Sequence, residues 1–334
     1  MPAQPRRALR IRPYRLLCAV CASGRATPPD SATAELLGAI RACPDRPLQL
    51  VCDAGGVYAW QDPGRAEDIG EGSDSNRKRD LDILQRLDLP PGAILPARTL
   101  LHRVLKAITT TVGVCGWDQA TGAAWAGCAR AASGDYERGR AKGMAAIIPP
   151  RDRAEMEVEK QRSIEALRSA EQVTIRPHLL MCAVCQYGAG VRPPLAEDNL
   201  PELLQVILTE RPDLPITMSR GADWMMCAPC PNRVPQLNAC VNVAGSGGLS
   251  NEKRDLDLLR LLGLGYGTTM PARSLYLLLL ERVPSTAPIC ARDNPPLSVW
   301  WDPCGEHNHA DPRGNEGYRK GRTALLRQLR PPAE

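Results

Sequence analysis

Apolar residues recur along this chain at two spacings, and the spacing sorts the polypeptide into elements. From Pro13 to Cys21 a short apolar run reads as a helix or turn, and Ser31 to Cys43 has helical composition that Pro44 and Pro47 interrupt. Leu48 to Val51 alternates apolar with polar, as a strand does. The Gly-, Asp- and Glu-rich stretch from Asp62 to Asp74 is a loop, and Ser75 or Asn76 is the natural N-cap for a helix carrying Leu81, Leu84 and Leu87 up to Pro90 and Pro91. A second amphipathic helix starts near Pro96 and sets Leu100, Leu101, Val104, Leu105 and Ile108 on one face. After an irregular segment with Cys115, Trp117, Trp125 and Cys128, the residues Tyr136 to Lys142 form a closing helix.

The same order then returns. IRPYRLLCAVC at Ile11 to Cys21 is repeated as IRPHLLMCAVC at Ile175 to Cys185, and Ser75–Leu89 shares 10 of 15 residues with Ser250–Leu264. Pro96, Ala97 and Arg98 recur as Pro271, Ala272 and Arg273, and Tyr136, Gly139 and Arg140 as Tyr318, Gly321 and Arg322. The prediction is therefore a helix-rich α+β fold in two tandem copies of one cysteine-containing domain, at residues 9–150 and 173–334. Residues 151–172 between them are dominated by Glu, Lys and Arg, and read as a solvated, charged linker helix. In the second copy, Pro201–Leu208 is helical, Pro215–Met218 strand-like, Gly221–Gly248 a cysteine-bearing loop, and Ser250–Leu262 and Pro271–Val283 helices.

Composition narrows the function. The net charge of +5 is spread over interspersed acids and bases, which leaves nucleic-acid binding unsupported, and the arginines at positions 6, 7, 10, 12 and 15 read as a solvated start. The longest apolar run, near Leu275 to Leu280, is far short of a membrane span, and no apolar leader follows the first arginines, so the expected setting is cytoplasmic. There a chain with 13 cysteines uses close Cys pairs as metal ligands or redox thiols more often than as disulfides.

Aligning the copies divides the cysteines. Cys18, Cys21, Cys115 and Cys128 correspond to Cys182, Cys185, Cys290 and Cys304, whereas Cys227, Cys230 and Cys240 belong to the second copy alone, with Ala59 and Asp62 opposite the first two. A metal or cluster site needs about four thiolates converging from separate segments, and two Cys-x-x-Cys turns supply them. The best set is thus Cys182, Cys185, Cys227, Cys230 and Cys240; the shared cysteines Cys18, Cys21, Cys115, Cys128, Cys290 and Cys304 are a secondary set, equally readable as small buried hydrophobes. Pro231 after Cys230 matches the turn beside the last ligand of bacterial ferredoxin runs.

From Ile175 to about Leu264 the chain resembles a family of short, largely uncharacterised bacterial and archaeal proteins described as iron-sulfur binders, with an Arg-Pro-His-His-Leu-Leu-Cys type motif and a later Cys-x-x-Cys-Pro. The resemblance rests on IRPHLLMC, on the segment Pro215 to Cys240 and on SNEKRDLDLLRLLGL, and Leu179 stands where the second histidine would be. It implies ligands at Cys182, Cys227, Cys230 and Cys240, framed by Arg176, Pro177 and His178. The first copy, with Tyr14 at the His178 position, looks like a degenerate relative.

Other candidates have simpler readings. Cys304, His307 and His309 lie in a polar loop, His102 on a helix surface, and Asp80, Asp82, Asp255 and Asp257 read as first-turn carboxylates favoured by the helix dipole. Phosphate-loop, serine-elbow and His-Glu-x-x-His motifs are absent, so a non-enzymatic role is the first expectation, with a thiol oxidoreductase as the enzymatic rival. The leading expectation is an iron-sulfur protein of the 4Fe-4S type for electron transfer or sensing, working with a protein or redox partner. Next comes a zinc-stabilised interaction module, and third a thiol-disulfide oxidoreductase using Cys18 and Cys21 or Cys182 and Cys185.

Overall fold

The computed structural model describes residues 7–64, 72–235, 239–240, 248–290 and 314–329. The chain divides into two compact units, Met1–Pro150 and Arg151–Glu334, each a helix-rich α+β fold.

In the first unit β1 (Leu9–Ile11) leads through Arg12 and Pro13 into α1 (Tyr14–Gly24), followed by α2 (Ser31–Ala42) and β2 (Pro47–Leu50). A 3-10 turn at Gly56–Gln61 precedes α3 (Ser73–Leu87), β3 (Ile94–Pro96) and α4 (Ala97–Ala107), and α5 (Asp135–Lys142) and α6 (Met144–Ile147) close the unit. β2 is the central strand, parallel to β1 with Leu9 opposite Leu48 and antiparallel to β3 with Leu48 opposite Leu95. Leu48 and Leu50 are fully buried, and the helices cover them with Leu16, Leu17, Val20, Ile40, Ile83, Leu100, Leu101 and Val104. Proline before α1 and at the start of α2's following strand sets the punctuation that the sequence showed: Pro has no N–H to lose at an element's first position.

The second unit begins with α7 (Arg153–Ser169). Then come β4 (Val173–Ile175), α8 (Pro177–Gly188), α9 (Leu200–Thr209) and β5 (Pro215–Met218). After them the short α10 (Trp224–Cys227) leads to a two-stranded hairpin, β6 (Arg233–Val234) and β7 (Ala239–Cys240). Next are α11 (Leu249–Leu262), β8 (Thr269–Pro271) and α12 (Ala272–Arg282), and finally α13 (Ala287–Cys290) and α14 (Glu316–Leu329). β5 lies between β4, parallel with Val173 opposite Ile216, and β8, antiparallel with Ile216 opposite Met270. Among the described residues, no helix is long and apolar enough to cross a membrane.

Three expectations change. The charged segment after Arg153 is not solvated all round: Leu167, Lys160 and Ser163 of α7 are buried in the second unit, and the Lys160 ammonium meets the Glu202 carboxylate and the Asp198 carbonyl. A single apolar residue per few turns suffices here because buried polar partners occupy the rest of the inward stripe. Second, α3 begins at Ser73 rather than at an N-cap on Ser75 or Asn76, and α11 at Leu249, so these side chains lie inside their helices. Third, the inward stripe of α3 is Asn76, Arg79, Asp80, Ile83, Leu84 and Leu87, and Leu81 is 42% exposed. α11 has the same phase through Asn251, Arg254, Asp255, Leu258, Leu259 and Leu262, with Leu256 52% exposed. Reading only leucines misplaced the face, because half of it is polar.

The closing helices approach their partners at glycine. A Cβ at Gly24 would strike the Asp135 carbonyl on α5, and one at Gly139 the Val20 carbonyl on α1. Between α8 and α14 the same holds for Gly188 against the Gly317 carbonyl and Gly321 against the Val184 carbonyl. Such backbone proximity lets the Tyr136 hydroxyl donate to the Ile108 carbonyl at 2.8 Å, and the Tyr318 hydroxyl to the Val283 carbonyl at 2.8 Å. Gly139→Ala and Gly321→Ala should each cost about 1–3 kcal/mol in urea unfolding, as overpacking does. Gly38→Ala, on the exposed face of α2 with nothing near, should instead stabilise by about 0.5–1 kcal/mol. Equal effects at the three positions would contradict the close approach.

Candidate functional site

The second unit's site is built from the end of β4 outward. Arg176 follows the strand directly, is 4% exposed, and places its Nε and Nη2 at 3.0 and 2.7 Å from Oδ2 of Asp255, which is fully buried on α11. Oδ1 of the same carboxylate accepts the His178 main-chain N–H at 3.0 Å and lies 2.6 Å from His178 Nδ1. Burial, with Arg176 and Arg254 nearby, pushes the His178 pKa down against the pull of Asp255, so the imidazole is neutral and Nδ1–H donates. Burial would raise Asp255, but His178 and Arg176 outweigh it and hold the carboxyl below its usual value. The first-turn dipole reading of Asp80 and Asp255 is therefore wrong: both lie in mid-helix as acceptors for a buried arginine.

The first unit repeats the pair without the histidine. Arg12 Nε reaches Asp80 Oδ2 at 2.7 Å and the Tyr14 N–H reaches Oδ1 at 3.1 Å, but Tyr14 stands where His178 would donate. Its ring is instead flanked by the guanidinium groups of Arg12, Arg15 and Arg79, the last 4.4 Å from the ring centre. Burial then dominates at Asp80, whose pKa is pushed up to about 6 despite Arg12.

The cysteines peculiar to this unit lie at the end of α10, in the turn that follows it and on β7. Asp223 caps α10 by accepting the N–H groups of Met225 and Met226 at 2.8 and 3.4 Å, which fixes where Cys227 emerges. The Cys230 N–H turns back to the Cys227 carbonyl at 3.0 Å, and the hairpin sets Cys240 opposite Arg233. The Cys227 thiol is held well above its usual pKa by burial and then by Asp223, Cys230 and Cys240, while burial lifts Cys230 to about 11. Burial opposes the charge on Arg176, and Asp255, followed by Cys240 and Cys227, more than restores it.

Asn251 contributes a residue that sequence reading missed. Arg254 Nη1 donates to its Oδ1 at 2.6 Å, and since guanidinium can only donate, the amide nitrogen must point the other way, toward Cys240 Sγ at 3.6 Å. In the first unit Asn76 is oriented likewise by Arg79, and its amide donates to the Gly72 carbonyl at 2.6 Å. Where one unit offers a carbonyl, the other offers a sulfur. The recurrence of Asn76, Arg79 and Asp80 as Asn251, Arg254 and Asp255 in the sequence was the available signal.

Of the predicted cysteines, Cys227, Cys230 and Cys240 act on one another; Cys182 acts on Tyr276, and Cys185 and Cys290 on Tyr318. In the first unit Cys21 lies within electrostatic reach of Cys18, Cys115 and Cys128. Cys304, His307 and His309 lie outside the described residues. The twelve described cysteines are thiols rather than halves of disulfides. Among the described residues, no three His, Cys, Asp or Glu side chains already close around a metal-sized centre. The donor chemistry nonetheless suits a thiophilic ion, and one χ1 rotation carries a cysteine sulfur between staggered positions without moving the backbone. Thiol activation is less well served: Cys18, Cys21, Cys182 and Cys185 sit inside α1 and α8 rather than at their N-termini, and burial pushes Cys18 up to about 11.

No protein-family model, no curated protein and no solved structure matches this chain.

The two aspartates predict opposite pH behaviour. Asp80, raised in the fold, contributes stability that is full below its ordinary pKa of 3.8 and lost as pH rises through about 6. Asp255, lowered in the fold, contributes stability present above 3.8 and lost as pH falls below it. In urea unfolding of the full chain, wild type should gain on Asp80→Asn between pH 6.5 and 4.5, by about 2 kcal/mol. Below pH 4 it should lose ground to Asp255→Asn. Parallel trends for both variants would show that the missing histidine donor does not separate the two carboxylates.

Proposed function

We propose that this chain is a metal-binding protein built from two copies of one cysteine domain, and that its second unit holds an iron-sulfur cluster for electron transfer or sensing. The duplication is supported by the shared strand order, one parallel and one antiparallel pairing around a central strand, and by the recurring Arg–Asp pairs and Tyr–carbonyl bonds. The observation that carries the metal reading is the environment of the three second-unit sulfurs. Cys240 accepts an amide N–H from an oriented Asn251, and the charge of Arg176 is within electrostatic reach of Cys240 and Cys227. Hydrogen bonds and positive charge at sulfur stabilise a thiolate, and they tune a thiolate-bound cluster. Cys227, Cys230 and Cys240 are the ligands, and Cys182 is the fourth in the family that Ile175–Leu264 resembles. A cluster bound there would accept and release electrons; the chain's own residues supply the sulfurs and their donors.

The test is anaerobic purification with metal and sulfide analysis and an absorption spectrum. The wild-type chain should be brown, with broad absorption near roughly 400 nm that bleaches in air. Cys227→Ser should be colourless, and Asn251→Ala should hold its metal about 10–100-fold more weakly, as loss of a ligand's supporting hydrogen bond does. A colourless chain with one zinc lost on Cys227→Ser would make the site a zinc site. A metal-free wild-type chain that melts like Cys227→Ser would end the reading.

A further inference from the structure

Among the described residues, the second unit has one helix, α7, without a counterpart in the first. We infer that the outer face of α2 and the 3-10 turn at Gly56–Gln61 form a docking surface for an amphipathic, lysine-bearing helix of a partner protein, laid on them as α7 lies on α9 and α10. The inference uses none of the cysteines and stands apart from the metal reading.

α7 rests on two elements of its own unit. On α9 its Lys160 ammonium meets the Glu202 carboxylate, and Val206, one turn further along, is buried as well. On α10 the Trp224 indole N–H donates to the Glu159 carboxylate at 2.5 Å, and Arg151, just before α7, donates to the Ala228 and Cys230 carbonyls at 2.5 and 3.1 Å. Leu167 adds a fully buried apolar side chain to the unit's core.

The first unit has both of these elements. α2 reads AELLGAI at residues 34–40 where α9 reads PELLQVI at 201–207, and Leu36, Leu37 and Ile40 are buried as Leu203, Leu204 and Ile207 are. That register puts Glu35 in the place of Glu202. The turn recurs too: residues 51–55 separate it from β2 as 219–223 separate α10 from β5. The Asp62 N–H returns to the Ala59 carbonyl at 3.2 Å, as the Cys230 N–H does to the Cys227 carbonyl at 3.0 Å.

What differs is the cover. Glu202 and Val206 are buried, whereas Glu35 is exposed and Ala39 half-buried. On the turn, Trp60 is 70% and Val57 79% exposed. Single apolar side chains on a surface need no explanation, but these two share one turn at the place where the other unit carries a helix. Tryptophan is also among the side chains that most often dominate binding interfaces. The chemistry of the occupant follows from these groups. Glu35 calls for a lysine, as Glu202 does, and the Trp60 indole N–H calls for a carboxylate like that of Glu159. Gly38 and Ala39 are small, and a Cβ added at Gly38 meets nothing, so a helix can approach α2 closely and bury its apolar stripe there.

The test adds a synthetic peptide of residues 151–170, held helical by a staple on its outward face and carrying a benzophenone photo-crosslinker, to the full chain. The chain's own α7 is covalently attached to its site, so the free peptide does not displace it at micromolar concentration. Crosslinks should map to residues 31–42 and 55–61, and Trp60→Ala should weaken binding about tenfold. Glu35→Lys should weaken it by a similar factor, and a peptide with Lys160→Glu should recover binding to that variant. Both substituted side chains are exposed, so urea unfolding of the variants should match wild type, and the crosslink map needs only the wild-type chain. Absence of saturable binding, crosslinks confined to α9 and α10, or no recovery by the charge swap would overturn the inference. Trp60-dependent self-association without peptide would overturn it too, by making a second copy of the chain the occupant.

Discussion

Each unit hangs on one buried ion pair that joins the end of a strand to the middle of a helix. Arg176 and Asp255, like Arg12 and Asp80, are at most 4% exposed, so neither charge has water to fall back on. Removing one member of such a pair leaves a buried charge uncompensated and typically costs about 3–5 kcal/mol. The pair does more than hold charge. Its carboxylate also takes the main-chain N–H at the start of the following helix, at His178 in one unit and Tyr14 in the other. The direction of α8 and α1 as they leave the sheet is set by that bond, and with it the position of each Cys-x-x-Cys pair.

The same constraint explains why α3 and α11 present mixed faces. An aspartate must reach inward to meet the arginine, an Arg just before it and an Asn on the preceding turn share its face, and apolar residues complete only the C-terminal half of the stripe. In the second unit the Asn amide set by this ladder ends at a sulfur, so structural hydrogen bonding and candidate chemistry share one set of residues. Substituting His178 for Tyr14 adds a donor to the carboxylate and removes an aromatic ring from among three guanidinium groups. The two units thereby keep one scaffold with different electrostatics at its centre.

Glycine plays the complementary part at the other end of each cysteine helix. Backbone contact between α1 and α5, and between α8 and α14, exists because no Cβ intervenes, and it lets a buried tyrosine hydroxyl satisfy the carbonyl at the end of α4 or of α12. An unsatisfied buried carbonyl or hydroxyl there would cost about 1–3 kcal/mol. Each cysteine pair is thus fixed between an ion pair at its N-terminal side and a glycine contact at its C-terminal side.

Much of this was legible in the residues alone. Prolines and alternating or helical spacing determined where β2, β5, α2, α4 and α12 lie, because these are local signals read from neighbours in sequence. The internal sequence match marked Arg12 and Arg176, Asp80 and Asp255, Tyr136 and Tyr318 as recurring, without saying what they did. Their roles depend on partners 28 to 79 residues away, and burial of a charge cannot be read from the helix that carries it. Only the tertiary structure decided that the aspartates lie inward, that α7 packs into the second unit, that Asn251 faces Cys240, and that Cys18 and Cys21 come within reach of Cys115 and Cys128. The reason is physical: local propensity fixes which element forms, whereas the face it buries is chosen by whichever distant group most needs a partner out of water.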